Sequence, residues 1–280
     1  MKPLLVLQTD FSFKETAVSA MHGVIKSVDR ELEIFDATHE IPQHDTWSAS
    51  YRLIQAMPFW PKGTVFVSVV DPGVGTPRTA CVALSSDGYV VVSPDNGSLT
   101  HLKYRIGIDA VREIDESINR LKGRNTEAVS VFHGRDLFAY CAAKFASGQI
   151  SFKEVGPRYP VDEIIMHPIV EPKFSPGEAH GIFEMDDPNF GNLWTNIPID
   201  HFLDAGFAYG DHLHLAIRHG DQIMFSEKVL FQQTFGFVDK DNVIIYNNEL
   251  LHVAVAVNQG NFSRKYRIGY GPDWSINITK

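Results

Sequence analysis

The sequence predicts an α/β N-terminal domain with a central mixed sheet between helices, followed by a small all-β barrel domain. Three observations carry this. Short, almost continuously apolar runs at residues 4–7 and 65–70 end at acidic turns and alternate with stretches of helical spacing, the pattern of strands covered on both faces. Asp87-Gly88 between two apolar runs signals a hairpin, which makes the sheet mixed. Beyond Pro168, Pro172 and Pro176 the helical spacing fades and short β-like runs take over.

Taken in order, residues 4–7 read as a strand that stops at Gln8-Thr9-Asp10, and Val18, Met21, Ile25 and Val28 mark one face of a helix. Asp45 is placed to cap a helix bearing Trp47, Tyr51 and Ile54, which Pro58 ends. Residues 65–70 form a strand ending at Asp71-Pro72-Gly73, and residues 79–84 and 89–92 form the hairpin. Residues 129–132 read as a strand, followed at Arg135 by a helix with Leu137, Phe138, Cys141 and Phe145 inward and Gly148 at its end. The prolines place the domain boundary, giving domains 1–170 and 171–280. In the second, strands are expected at 213–217, 229–231, 243–246 and 250–257.

Composition narrows the function classes. With 280 residues, 44% of them apolar, the chain is long enough for two cores. It has no apolar run of about 20 residues and no basic leader, so it is expected to be a cytoplasmic protein that does not enter a membrane. A formal net charge of −9 argues against nucleic acid as partner and for a small, even cationic, ligand. Cys81 and Cys141 sit in apolar segments, as buried thiols do. Among the 12 histidines, His212, His214 and His219 have no Cys or Glu at ligand spacing, so no metal site is expected.

Candidate chemistry collects after the strands of the first domain, where open α/β sheets bind ligands. Asp10, Asp71, Asp95 and His133 all stand there. Each also has a plain structural reading: Asp95-Asn96-Gly97 as a turn, Asp10 as a helix cap, His133 as a satisfied core histidine, Arg135 and Asp136 as a solvated helix start. The loop from Asp71 to Arg78 has two glycines but neither the phosphate-loop nor the dinucleotide pattern.

Five segments together resemble the S-adenosylmethionine hydroxide adenosyltransferases, relatives of the fluorinating and chlorinating enzymes. They are Thr9-Asp10-Phe11, residues 69–76 with Arg78, residues 132–136, residues 187–196 and residues 256–261, in order along almost the whole chain. The resemblance implies a homotrimer with active sites between subunits and no cofactor, S-adenosylmethionine being the substrate. It implies that Asp71, Arg78 and His133 activate water and that Asp10 accepts the ribose hydroxyls. It further implies that Asp187 holds the methionine ammonium and Asn192 reads the adenine edge. Phe190, Trp194 and Phe235 would supply aromatic walls, Phe132 and Gly134 flank the site, and Asn258 sits in the loop that meets the base through its backbone.

Departures from the family pattern are Ser12, where glycine is usual, and Glu15, at the position of a second acid. Halogenating members carry an aromatic hydroxyl at the position of Asp71 and lack the histidine, and the fluorinating ones have serine at Gly134. Water is therefore the expected nucleophile, with His133 suited to take its proton because imidazole titrates near pH 6.5. The alternatives are a halide-using synthase of the same fold and a non-catalytic adenosyl-ligand sensor.

Overall fold

A computed structural model describes residues 2–123 and 131–280. The chain divides into two compact units, Met1–His167 and Pro168–Lys280. The first holds a seven-stranded sheet in the order β2-β1-β3-β5-β4-β6-β7. Its strands are β1 (Leu5–Thr9), β2 (Ile34–Thr38), β3 (Val65–Val69), β4 (Ala80–Ser85), β5 (Val90–Pro94), β6 (Ile108–Glu113) and β7 (Arg158–Tyr159). β2, β1, β3 and β5 run parallel, whereas β4 pairs antiparallel with β5 and β6, so the sheet is mixed.

Alternation along the parallel strands feeds two apolar layers. Leu5, Leu7, Val65, Val67 and Val69 pack with Met21 and Ile25 of α1 (Ala17–Val28), and with Leu137 and Phe138. Val6 and Phe66 point the other way, to Leu53 of α2 (Thr46–Ala56) and Met57. β1 and β3 thus bury both faces, which explains their largely apolar sequences. The Asp45 carboxylate accepts the Ser48 N–H at 2.9 Å and starts α2 as the sequence indicates. Pro58 sits in the short 3-10 turn Met57–Phe59 that follows.

The expected helix after His133 differs in its first turns. Gly134–Ala139 winds as a π-helix before α4 (Tyr140–Ala146) continues it, after the one-turn α3 (Glu116–Asn119). Of the strand expected at 129–132, Val129 and Ser130 lie outside the described residues, and Val131 and Phe132 are not in a strand. Asp136, read as solvated, is fully buried and held by Arg135 at 2.6 and 2.9 Å. Burial of the acid requires such a partner, which periodicity does not reveal. Asp95 is likewise more than a turn residue. It is 3% exposed and accepts the Tyr159 hydroxyl at 3.0 Å and the Ile165 N–H at 2.9 Å, fastening a segment 70 residues away. Cys81 and Cys141 are buried free thiols, both pushed up to about 12 by desolvation.

In the second unit seven strands close into a barrel. They are β9 (Glu178–Asp186), β10 (Leu193–Pro198), β11 (His212–His219), β12 (Gln222–Phe231), β13 (Val243–Asn247), β14 (His252–Val257) and β15 (Trp274–Thr279). Their circular order is 10-14-13-12-11-15-9, closed by pairing of β9 with β10, and β8 (Lys173–Ser175) lies outside on β9. Leu193, Leu215, Ile217, Ile245, Val253 and Val255 belong to its core. The strand expected at 250–257 begins at His252, because Leu251 takes a left-handed backbone. His212, His214 and His219 are exposed on β11.

His39, His101 and His133 are buried in the first unit and His167 is half-buried; desolvation lowers the pKa of all four, that of His101 to about 3. The folded state favours their neutral forms, while the unfolded chain takes up protons below about pH 6.5. Stability is therefore expected to be fully present above pH 6.5 and to fall as the solution is acidified from there. Calorimetric melting at pH 7.5, 6.5, 5.5 and 5.0 should show that decline, and His101→Leu should flatten it. A melting temperature constant over this range in the unsubstituted protein would contradict it.

Candidate functional site

β1 and β3 are adjacent parallel strands, with Thr9 opposite Val69. Their carboxyl ends therefore release Asp10 and Asp71 at the same edge of the sheet. Both line a cleft of about 550 Å³, together with Phe11, Glu15, His44 and Phe132. Asp10 is not a helix cap: its Oδ2 accepts the His44 N–H at 2.9 Å, and the residue before α1 is Thr16, whose side chain caps nothing. Glu15 spends its carboxylate on the Thr16 and Ala17 N–H groups, at 2.8 and 2.9 Å.

Behind Asp71 the chain builds a three-membered polar relay. Arg78 Nε lies 2.9 Å from Oδ1 of Asp71, and Nη2 donates to Oδ2 and also to His133 Nδ1, the latter at 2.9 Å. The Asp71 and Arg78 side chains are only 5% and 8% exposed, so this ion pair is shielded and highly directional. Arginine has no lone pair to offer. His133 Nδ1 must accept, which makes the ring neutral with its proton on Nε2. Burial, and then the Arg78 charge, lower its pKa and agree with that form. The Nε2 atom is buried and closes no hydrogen bond among the described residues.

Phe132 meets Phe11 edge-on at 5.9 Å, and Arg135 lies over its ring at 4.8 Å. Gly134 is there for space. A Cβ would stand 2.8 Å from the Phe11 ring. Asp10, Asp71, Arg78, Phe132, His133 and Gly134 are thus gathered in the first unit.

The second unit gathers another set. Asp187 Oδ1 accepts the Asn189 N–H at 3.1 Å, and the Asp187 carbonyl accepts Gly191 N–H at 2.6 Å. Gly191 has φ +69°, and a side chain on it would run into Asn261. This tight turn leaves Phe190 66% exposed and leads back through Asn192 into β10. On β10 and β13, Trp194 and Tyr246 both pair with Ala254 of β14, one from either side. Leu193, Ile245 and Val253 fill the barrel interior, so by alternation Trp194 and Tyr246 share the opposite face.

Phe235 packs on Tyr246 with ring centres 4.8 Å apart, and the hydroxyl of Tyr246 lies beside Asn192 and Trp194. The Trp194 indole N–H approaches that hydroxyl without closing a well-directed bond. Burial pushes the Tyr246 pKa up. Tyr246 was not singled out from the sequence; its place one residue past Ile245 in an alternating strand is the signal that finds it. Asn258 is held firmly in its loop. Its backbone N–H and C=O are both taken by Asn242 and Asp241, and its amide donates to Val238 O at 2.8 Å.

No group of three or more His, Cys, Asp or Glu able to hold a metal ion occurs among the described residues. Nor is any described helix long and apolar enough to cross a membrane.

Residues 5–156 match the S-adenosylmethionine hydroxide adenosyltransferase N-terminal domain, and residues 182–275 match the C-terminal domain of the same family. An (R)-S-adenosyl-L-methionine hydrolase of Methanocaldococcus jannaschii is 29% identical over 272 residues, covering 95% of this chain and 93% of the relative. One of the same name from Salinispora tropica is 31% identical over 258 residues, covering 92% and 91%. Fluorinases are more distant, at 25% for that of an Actinoplanes species. Among solved structures, a conserved protein from Thermotoga maritima superposes with a TM-score of 0.87 at 31% identity, covering 99% of this chain and all of that one.

Arg78→Lys tests the relay without reference to any ligand. Lysine keeps the charge but has no fork to serve Asp71 and His133 together. One of them is left buried without its partner, so stability should fall by about 1–3 kcal/mol. Removing the guanidinium from Nδ1 should also raise the His133 pKa. Denaturant melts and histidine-ring NMR titration measure both, and an unchanged melt with an unchanged titration would refute the relay.

Proposed function

The chain belongs to the S-adenosylmethionine hydroxide adenosyltransferase family, and from that premise we propose that it hydrolyses S-adenosyl-L-methionine to adenosine and L-methionine. The observation that carries the reading is the Asp71–Arg78–His133 relay ending at a cleft that Asp10 also lines. Relatives named (R)-S-adenosyl-L-methionine hydrolase support it.

The chemistry asks little of the leaving group. Sulfur departs as a neutral thioether, taking the electrons of the carbon–sulfur bond, and needs no proton. Water is the poor partner, with a pKa of about 15.7 in bulk. In our reading one water hydrogen-bonds to Asp71, the member of the relay that faces the cleft. Its oxygen forms a bond to the 5′ carbon in line with the departing sulfur. The released proton passes to Asp71 and then to solvent, leaving the 5′ hydroxyl of adenosine. Arg78 keeps the carboxylate aimed, and His133, with Nδ1 occupied, fixes Arg78. This assigns the proton to Asp71 rather than to the histidine expected from the sequence. Positioning water and carbon together contributes up to roughly 7–11 kcal/mol in favourable cases. Phe11 and Phe132 add attraction for the sulfonium, about 0.5–2 kcal/mol.

Asp10 takes the ribose hydroxyls in this reading. Asp187, Phe190, Asn192, Trp194 and Phe235 take the methionine ammonium and the adenine, with Tyr246 steadying Asn192 and Trp194. We assign the water-activating and ribose loops to the first domain and the adenine and methionine loops to the second, in a cytoplasmic homotrimer. Water is preferred over halide because Asp71 offers a carboxylate to a proton donor, and because Phe11 fills the space that a larger residue at 134 needs.

Incubating S-adenosylmethionine with the protein should release adenosine and methionine in equal amounts, unchanged by chelator or by added halide. Asp71→Asn should lower turnover by about a hundredfold to ten-thousandfold with little loss of substrate affinity. His133→Ala should cost about ten- to a hundredfold, the worth of one hydrogen bond to a charged group. Chromatography with calorimetric binding measures these. An intact substrate would refute hydrolysis, and a His133→Ala defect exceeding that of Asp71→Asn would move the proton to the histidine.

A further inference from the structure

We propose that His39 is a positioning residue that clamps the loop carrying Asp10 and Phe11. The proposal rests on the reading of Asp10 as a ligand contact and deepens it.

His39 reaches the loop because of a register slip. Leu5 and Leu7 pair with Ile34 and Asp36, yet Gln8 pairs with Thr38, so β2 carries one extra residue at Ala37. Without it Thr9 would face Thr38; with it His39, the residue after β2, comes alongside Thr9. A bulge re-aims side chains in just this way. The His39 side chain is fully buried, and Thr9 is 0% exposed.

Four contacts then fix residues 9 to 13. Thr9 Oγ1 lies 2.8 Å from His39 Nδ1, and the same hydroxyl oxygen accepts the Phe11 N–H at 3.1 Å. The His39 carbonyl accepts the Ser12 N–H at 2.7 Å. Phe13 sets its ring edge-on to the imidazole at 4.8 Å. Asp10 and Phe11, both inside this bracket, line the cleft.

The hydrogens can be assigned from chemistry. The Asp36 carboxylate can only accept, so Nε2 carries the ring proton and donates to Oδ1 at 2.9 Å. In the neutral ring Nδ1 is then a lone pair, and it accepts the Thr9 hydroxyl. His22 Nε2 shares the Asp36 oxygen at 2.9 Å, on the exposed side. The tautomer is thus held from both ends, as a carboxylate-oriented histidine is.

The clamp also answers for Ser12. Its φ of +55° is one that glycine adopts freely and serine does not. The bond from Ser12 N–H to His39 O, and that from Lys14 N–H to Ser12 Oγ at 3.1 Å, hold it there. The strain of a non-glycine residue is balanced by contacts centred on His39.

The experiment is calorimetric binding of S-adenosylmethionine and of adenosine to the full-length protein, with turnover at saturation, for His39→Ala, His39→Asn and Thr9→Val. Asparagine can still offer an oxygen to the Thr9 hydroxyl; alanine cannot. His39→Ala and Thr9→Val should each weaken both ligands about tenfold or more, the loss of one buried hydrogen bond. Turnover at saturation should change by less, and His39→Asn should recover part of the affinity. If His39→Ala does not fold, Thr9→Val reports the same contact from the other side. A folded His39→Ala or Thr9→Val with full affinity would overturn the clamp alone. An unsubstituted protein that binds neither ligand would overturn the reading of the site, and the clamp with it.

Discussion

Arg78 holds two groups at once, and the cleft end of the first unit depends on that double grip. Its guanidinium spans the carboxylate of Asp71 and the Nδ1 of His133, residues that leave different elements 62 positions apart. A carboxylate this shielded needs a cation, and a cation this shielded needs full hydrogen bonding. The pairing meets both needs with one planar group. It also decides protonation, since a fixed cation at Nδ1 keeps the histidine neutral. Asp71 is then left as the acceptor turned toward the cleft.

The sheet beneath supplies the geometry. Two central parallel strands, buried on both faces, end level with one another, so their first polar residues emerge side by side. Polar groups at that edge are organised by a few local devices. A bulge in β2 brings His39 to Thr9, a glycine at 134 admits the Phe11 ring, and a π-helical start follows His133. π-helical turns and bulges recur at functional sites because they re-aim single residues at small cost to the element.

Much of this was legible from the residues alone. Asp10 and Asp71 could be found because strand ends in α/β sheets are where ligands gather, and the strands themselves are plain in the apolar runs. The mixed sheet followed from Asp87-Gly88, and the β character of the second unit from lost helical spacing. What escaped were pairings across long sequence distances. The burial of Asp136 is visible only once Arg135 folds onto it, and that of Asp95 only once Tyr159 and Ile165 arrive. Tyr246 joins Asn192 and Trp194 through strand register, which composition does not encode. His39 escaped because one inserted residue, rather than any motif, sets it beside Thr9.

The central claim is that water attacks the 5′ carbon of S-adenosylmethionine from the Asp71 side of the cleft. A single turnover in oxygen-18 water, with mass analysis of both products, tests it most directly. The account predicts one heavy oxygen in the 5′ hydroxyl of adenosine and none in methionine. Adenosine that forms without the label would contradict it.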